Sequence, residues 1–329
     1  MQHDDWGVRA ERWSGTRSET VRVLDTDVHV LRRDAAPSAP AGAPTQLLVH
    51  GLGGSSTNWL EVTTALSELG PVVAPDLPGS GRTEPPRPRA SRISNNARFL
   101  RTFTRTLGLD RLVVHGNSMG GLIGVLFAGL EPDRVERLVL VDPALPAPLR
   151  AARAISRQTL TRFAPFVVPP LGRAVLGAAW RRGTGASLWQ ETVDFVHGDP
   201  ERIAPEIAAL GVENLEWGRG RPWRLDGFTD AAASIVSAVT IGQRRTRAAI
   251  DRVAAPTLLL WGDADRLVGR AVIDGLVDRR PDWDLHVFDG VGHVPQLEAP
   301  DGYVEVVTRW LRAGDDAAGI DTVAEAADA

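Results

Sequence analysis

The sequence predicts an α/β fold, a mostly parallel central sheet with flanking helices and an inserted helical cap. Short apolar runs that end in turn residues predict the strands, and helical patterns lie between most of these runs. No comparable run occurs between Pro143 and Pro256, so we expect this part of the chain to form helices between two strands. The expected architecture is therefore a strand–helix alternation with one long helical insertion.

The first predicted element is Val21–Val30, whose mostly alternating pattern indicates one or two strands at an antiparallel edge. A loop at Ala35–Pro44 separates it from six runs with the valine- and leucine-rich composition of buried parallel strands. These runs are QLLVHG at 46–51, PVVAPD at 71–76, RLVVHG at 111–116, RLVLVDP at 137–143, TLLLWGD at 257–263 and DLHVFDG at 284–290. The helical patterns between them include Ser94–Leu107, Met119–Leu130, Val268–Asp278 and Tyr303–Leu311.

The insertion divides the predicted core into two parts. We expect residues 1–145 and 251–313 to form the core, residues 146–250 the helical cap and residues 314–329 a disordered acidic tail. Open sheets bind ligands at the carboxyl ends of their strands, and the cap is expected to lie over that edge. Its amphipathic segments are Ala151–Phe163, Ala174–Arg182, Pro205–Leu210 and Ala231–Ile250.

Composition excludes several chemistries. The 329 residues contain no cysteine, and all 37 basic residues are arginine. Without lysine there is no Walker-type phosphate loop, no kinase site and no pyridoxal Schiff base. Without cysteine there is no thiol nucleophile, disulfide or cysteine–zinc site.

Charge is distributed unevenly around a net value of −4. The segment 314–329 carries five acids and no base, whereas residues 146–250 carry 14 arginines and nine acids. Residues 1–313 together sum to +1 and lack the concentrated basic face of a nucleic-acid-binding protein. The longest uncharged apolar stretch, Met119–Leu130, is 12 residues long, below the roughly 20 that a membrane-spanning helix needs. Because the first residues also lack an apolar signal region, we expect a cytoplasmic protein with no transmembrane segment.

The strongest chemical motif is Gly116-Asn117-Ser118-Met119-Gly120. It follows a predicted strand and begins an uncharged helix, which is the context that a G-x-S-x-G nucleophile requires. A turn this tight needs glycine neighbours and leaves the serine hydroxyl at the edge of the sheet. Ser118 is therefore the predicted nucleophile.

A serine needs a base, and in this type of fold the base comes late in the chain. Seven histidines are available, and only His293 lies in a glycine-rich loop after the last predicted strand. The others lie in the N-terminal segment, at strand ends, in the insertion or within a strand: His3, His29, His50, His115, His197 and His286. We predict His293 as the base.

Three aspartates are candidates for the acid that orients the histidine. Asp263 and Asp265 follow the run TLLLWG, and Asp142 ends an earlier strand. Each could equally be a turn or helix-capping residue. We rank Asp265 first, Asp142 second and Asp263 third.

An oxyanion needs two backbone N–H donors. Met119, directly after the nucleophile, is the first candidate, and Leu52 in the Gly-rich segment after His50-Gly51 is the second. The competing interpretation of Gly51–Ser56 is a dinucleotide fingerprint, but Ser56 stands at the third glycine position. Asp76 is the only acidic residue near the required spacing, and it lies in a Pro/Gly loop.

In order and spacing, these motifs resemble those of the α/β-hydrolase superfamily over about 20–145 and 251–312. The resemblance implies the catalytic triad Ser118, Asp265 and His293, and it favours Asp265 over its rivals. The motifs are His50-Gly51, Asp76-x-x-Gly79-x-Gly81, Gly116-Asn117-Ser118-Met119-Gly120-Gly121, Pro132-Asp133-Arg134-Val135, Trp261-Gly262-x-x-Asp265 and Gly292-His293 followed by Glu298-x-Pro300.

With Ser118 at the nucleophile position, the chain resembles the carboxylesterases, lipases, perhydrolases and C–C hydrolases of this superfamily. The G-N-S-M-G-G elbow is shared with some C–C hydrolases, whereas Gly51-Leu-Gly-Gly-Ser lacks their Ser-Gly-Pro-Gly character. We therefore expect a serine hydrolase that cleaves a small-molecule carboxylic ester with an apolar acyl group, without metal or cofactor. The alternatives are a C–C hydrolase of ring-cleavage products and a catalytically weak ligand-binding protein.

Overall fold

The computed structural model describes residues 3–148 and 157–327, apart from the side chains of residues 157, 158, 160 and 315–327. Its eight-stranded sheet has the order β1-β2-β4-β3-β5-β6-β7-β8. The strands β1 and β2 are antiparallel to their neighbours, and all other pairs are parallel. The bounds are β1 Arg17–Val23, β2 Thr26–Arg33, β3 Thr45–Val49, β4 Val72–Pro75, β5 Leu112–Asn117, β6 Val135–Val141, β7 Thr257–Gly262 and β8 Asp284–Phe288.

Twelve α-helices complete the described part of the chain. Within the core they are α1 Leu60–Leu66, α2 Ile93–Thr106, α3 Met119–Leu130, α10 Arg270–Arg279, α11 Pro295–Glu298 and α12 Pro300–Ala327. The insertion contains α4 Arg157–Phe163, α5 Pro169–Arg182, α6 Gly185–Val196, α7 Pro205–Arg219, α8 Pro222–Val239 and α9 Gln243–Ile250. The predicted α/β fold with a helical insertion is confirmed.

The sheet separates two apolar layers. Successive strand residues point to opposite faces, so Leu47 packs in the layer with α2, α3, α9 and α10, and Leu48 packs in the layer with α1 and α12. The central strands β3, β4, β5 and β7 are buried along their whole length. This double burial explains why their sequences are apolar without alternation.

Strand β8 differs from the prediction. Its sequence run suggests a strand buried on both faces, but β8 is the edge strand, and Leu285 and Val287 are exposed. The predicted antiparallel edge is the β1–β2 hairpin, in which Val21 pairs with Val28. Helix α1 lies in a segment for which no helix was predicted.

The insertion lies between β6 and β7, as expected. Of its predicted amphipathic segments, residues 151–156 lie outside the described part of the chain, and the rest fall on α4, α5, α7, α8 and α9. Helix α8 lies against two loops of the core: a Cβ on Gly53 would be 3.1 Å from Phe228 Cε2, and one on Gly79 would be 3.0 Å from the Gly227 Cα. The insertion therefore approaches the loops that follow β3 and β4, at the carboxyl-terminal edge of the sheet.

The last helix, α12, continues through residues 314–327, which the sequence predicts to be a disordered acidic tail. That prediction, like the domain boundaries at 145/146 and 250/251, stays a prediction. Within the described residues no helix has the length and apolarity to cross a bilayer. The expected cytoplasmic location stays a prediction as well.

Candidate active site

Ser118 lies between β5 and α3 with φ 55° and ψ −113°, a backbone conformation that non-glycine residues adopt at local cost. Its N–H donates to the Val141 carbonyl, and its carbonyl accepts from Gly121 and Ala144, so the strained turn is held from both sides. A Cβ on Gly120 would lie 2.1 Å from the Val49 carbonyl oxygen. Glycine is therefore a steric requirement of this turn, which presents Ser118 at the edge of the sheet.

His293 and Asp265 form a buried pair. The Nδ1 of His293 lies 2.7 Å from Oδ2 of Asp265, and the other Asp265 oxygen accepts from the Leu267 N–H at 2.6 Å. The exposed fractions of the His293 and Asp265 side chains are 6% and 0%. An Nδ1–H donor facing a carboxylate leaves Nε2 as the basic nitrogen of the ring.

Two hydrogen bonds hold the His293 loop in place. Asn117, the residue before Ser118, donates its side-chain amide to the His293 carbonyl at 2.9 Å. The His293 N–H donates to the Val196 carbonyl at the end of α6, at 2.7 Å. The first bond ties the histidine to the serine turn, and the second ties it to the insertion. The structure thus brings the loops of Ser118, Asp265 and His293 together at one edge of the sheet.

Asp142 lies beside this pair. It follows β6 with φ 45°, is fully buried, and accepts from the Gly262 N–H at 3.1 Å through Oδ1. Its Oδ2 is buried without a hydrogen-bond partner. Burial first, and then the negative charge of Asp265, raise the pKa of Asp142 well above its ordinary value. The surroundings of Asp142 therefore favour the protonated form of its carboxyl group.

The third candidate, Asp263, lies apart from the histidine. It is exposed, and its Oδ1 accepts from the Gly290 N–H at 2.7 Å, which closes the turn after β8. Among the described residues, Asp142, Asp265 and His293 also form the one group of three ligating side chains with donor atoms within 4.8 Å of one another. In this group His293 Nδ1 and Asp265 Oδ2 already bond to each other.

The glycine-rich segment after β3 reaches the serine. A Cβ on Gly51 would lie 3.3 Å from the Cβ of Ser118, so Leu52 follows a backbone position in close contact with the nucleophile. Met119 is the first residue of α3, and an N–H at that position has no acceptor within its own helix. The backbone at both predicted oxyanion residues therefore lies beside Ser118.

A buried polar network fixes the segment that contains Leu52. The Asp76 carboxylate accepts from the N–H groups of Ser56 at 2.6 Å and Arg82 at 2.7 Å. Burial alone would raise the pKa of Asp76, but His29 and His50 outweigh it, and the pKa lies below its ordinary value. Because a Cβ on Gly81 would lie 2.0 Å from Asp76 Oδ2, glycine is needed there. Asp76 therefore has a structural role, which agrees with the rejection of a dinucleotide site.

His50 and His115 serve as buried structural residues. The Leu77 N–H donates to His50 Nε2 at 3.1 Å, which leaves His50 Nδ1 to donate to the Gly51 carbonyl at 2.8 Å. His115 bonds to the Tyr303 hydroxyl at 2.7 Å and to Gln46 Oε1 at 2.9 Å. Burial lowers the pKa of His115 to about 3 and also lowers that of His50. Burial favours the neutral form of both rings, and their hydrogen bonds leave neither free to act as a base.

Sequence reasoning assigned no role to Glu298, which the structure places under the His293 loop. This buried carboxylate accepts from the N–H groups of Gly292 at 2.8 Å, Gly198 at 3.1 Å and Asp199 at 2.8 Å. It thus joins the histidine loop to the insertion. The Glu298-x-Pro300 pattern after Gly292-His293 was the available signal.

Comparison with known proteins agrees with this geometry. A model of the alpha/beta hydrolase fold matches residues 44–300. Two relatives are named 2-hydroxy-6-oxononadienedioate/2-hydroxy-6-oxononatrienedioate hydrolase. The relative from Cupriavidus pinatubonensis is 28% identical over 92% of this chain and 98% of its own. The relative from Burkholderia vietnamiensis is 31% identical over 82% of this chain and 88% of its own.

A solved structure shares the fold. The 2-hydroxy-6-oxo-6-phenylhexa-2,4-dienoate hydrolase from Rhodococcus superposes with a TM-score of 0.68 and 20% identity, over 90% of this chain and 99% of the other. The two sequence relatives correct the expected function, since neither name describes the hydrolysis of a carboxylic ester. The expectation of a carboxylesterase is wrong, and the alternative of a C–C hydrolase is the better supported one.

Proposed function

Because the chain belongs to the alpha/beta hydrolase fold family, and on the strength of its relatives, we propose that it hydrolyses a carbon–carbon bond in a 2-hydroxy-6-oxo dienoate. Such molecules arise when an aromatic ring is cleaved. The dienedioate named for the relatives has no ester or amide linkage, so hydrolysis must break a carbon–carbon bond beside its 6-oxo group. The observation that carries the proposal is the activity for which these relatives are named, together with their similarity to this chain over most of its length.

The proposed reaction requires nucleophilic attack on a ketone and stabilisation of the oxyanion that forms. The substrate first takes its keto form, in which the proton of the 2-hydroxy group has moved to the carbon beside the 6-oxo group. Attack on the 6-oxo carbon then gives an oxyanion, and its collapse breaks the bond to that neighbouring carbon. The electron pair moves into the conjugated 2-oxo system and regenerates a dienol. The enzyme must therefore supply a nucleophile with a base, and donors for the oxyanion.

The proposed roles follow from the positions of the side chains. Ser118 attacks the 6-oxo carbon as His293 Nε2 accepts its proton, and Asp265 holds the ring tautomer and stabilises the imidazolium. The N–H groups of Leu52 and Met119 stabilise the oxyanion. Water activated by His293 then releases the acid from Ser118. No step in this scheme requires a metal or organic cofactor.

The charge of the insertion supports an anionic substrate. Residues 146–250 carry 14 arginines and nine acids, and a dienedioate carries two carboxylates. An excess of positive charge near the site raises the rate at which such a substrate arrives. The steering contribution should therefore weaken as salt screens these charges.

The test compares two substrates with the purified full-length protein. We expect kcat/KM for 2-hydroxy-6-oxonona-2,4-dienedioate, followed by loss of the dienolate absorbance, to exceed that for p-nitrophenyl acetate or butyrate by at least about 100-fold, the scale of discrimination that pocket contacts supply. Ser118→Ala should abolish turnover. Ser94→Ala, which removes an exposed hydroxyl from α2, should leave it unchanged. Faster turnover of the esters, or no turnover of the dienedioate, would reject the proposal.

A further inference from the structure

The insertion carries a concentrated apolar surface. Val167, Val168, Leu171 and Val175 are 64%, 53%, 52% and 49% exposed. Ten large apolar side chains are exposed in the described part of the chain, and four of them lie within these nine residues. Exposed apolar side chains that occur singly need no explanation, but a cluster marks an interaction surface. We call these four residues the α5 face.

The helix geometry turns the α5 face outward. Val168, at the start of α5, is followed at helical spacing by Leu171 and Val175, which places the three on one side. Other sides of the helix are already packed: a Cβ on Gly172 would lie 2.5 Å from the Phe166 ring, and one on Gly177 would lie 3.4 Å from Leu225. The α5 face is therefore not a core surface of the insertion.

The segment that contains the α5 face is rich in arginine, and one of these arginines, Arg173 on α5, pairs with Asp226 of α8. Residues 143–190 contain seven arginines and no acid. Arg182 continues the stripe of the α5 face, since it lies two turns beyond Val175, and Arg181 is next to it. Both are exposed, and no carboxylate of the described residues forms an ion pair with either. An apolar stripe bordered by unpaired arginines has the two components of a helix that lies in a membrane interface.

The α5 face is also connected to the active site. The ring of Phe166, which packs beneath α5, is 5.8 Å from that of Phe228. Phe228 in turn lies close to Gly53, in the glycine-rich segment that contains Leu52, where an added Cβ would be 3.1 Å from the Phe228 ring. Two aromatic side chains thus lie between the α5 face and the place where substrate reacts.

We propose that the α5 face, with Arg181 and Arg182, docks this protein on the surface of an anionic phospholipid bilayer. The apolar side chains enter the headgroup region, and the guanidinium groups bind lipid phosphates. A second copy of the chain fits less well as the occupant, since a symmetric contact would bring Arg181 and Arg182 of both copies to the same interface. The proposal does not depend on which bond the enzyme cleaves.

Flotation of the full-length protein with vesicles tests the proposal. We expect binding to vesicles of phosphatidylglycerol and phosphatidylcholine, little binding to phosphatidylcholine alone, and loss of binding in high salt. The double variant Arg181→Ala/Arg182→Ala should bind about 30-fold more weakly, from about 1 kcal/mol for each arginine near an anionic surface. Val168→Asp/Leu171→Asp should lower the affinity at least about tenfold. The control Leu24→Asp changes a side chain that is 77% exposed at the β1–β2 turn, and it should bind as the unaltered protein does.

Three outcomes would overturn the proposal. The unaltered protein could fail to bind anionic vesicles, or both α5-face variants could bind as well as the Leu24→Asp control. Light scattering could also show a dimer that the α5-face variants convert to a monomer, which would make the α5 face a contact between copies. All variants change exposed side chains, and their thermal unfolding should match that of the unaltered protein, so altered binding reports on the surface.

Discussion

Asp142 and Asp265 follow the neighbouring strands β6 and β7, and both are buried at the same edge of the sheet. Their surroundings differ. Asp265 bonds to His293 and to the Leu267 N–H, whereas Asp142 bonds to the Gly262 N–H alone and keeps one buried oxygen without a partner. Two adjacent buried carboxylates repel each other, and burial together with Asp265 raises the pKa of Asp142, the one with fewer partners. Burial alone therefore does not identify the acid of a triad; its hydrogen bonds do.

The largest effect should come from replacing Asp265, the aspartate bonded to His293. Asp265→Asn should lower kcat by about 100- to 10,000-fold, because the imidazole loses the carboxylate that holds its tautomer. The residual activity should rise with pH, because the remaining carboxyl, Asp142, ionises only above its ordinary range while it stays buried. A pH–rate profile on the dienedioate measures both effects.

The matched control for this experiment is Asp265→Asn/Asp142→Asn. It should lose the part of the residual activity that rises with pH, since no carboxylate then remains beside His293. If the single and double variants have the same profile, Asp142 does not substitute for Asp265. If Asp142→Asn alone is as damaging as Asp265→Asn, the assignment of the acid is reversed.

A smaller effect is expected on stability from Asp142→Asn. Asparagine tolerates the positive φ at this position and can accept from Gly262, so the fold should be kept. The folded pKa of Asp142 lies above its unfolded value, so its contribution to stability is complete below about pH 4 and is lost as pH rises toward the folded pKa. Relative to the unaltered protein, Asp142→Asn should thus gain up to about 1.4 kcal/mol per pH unit over that window.

Urea unfolding of both proteins at pH 5 and pH 7 measures this difference. The free energy of unfolding of Asp142→Asn minus that of the unaltered protein should increase with pH. A difference that is constant or falls with pH would mean that Asp142 is ionised in the folded protein. The same denaturation series on Leu24→Asp gives the baseline for an exposed substitution.

These aspartates also show what could be predicted from the sequence. The Ser118 turn could be predicted because the glycines that it requires lie within five residues of chain. The His293 loop could be predicted because its glycines follow the last strand. The ranking of Asp265 above Asp142 drew on resemblance as well, since their difference arises only when β6 and β7 become neighbours. Glu298 was missed because its partners Gly198 and Asp199 lie about a hundred positions earlier, in the insertion. The exposure of β8 depends on its place at the edge of the sheet, which its own residues do not encode.

The smallest effect should come from Asp263→Asn, the third of the candidate acids. Asp263 is exposed and uses Oδ1 to accept from Gly290, and an asparagine oxygen can accept the same bond. Exposed substitutions of this kind usually change stability by less than about 0.5 kcal/mol. Because the hydrogen bond of Asp263 is to Gly290 and not to His293, kcat and KM should each stay within about twofold of the unaltered values. Steady-state kinetics on the dienedioate measure both constants. A loss comparable to that of Asp265→Asn would mean that the hydrogen bond to His293 does not identify the catalytic acid.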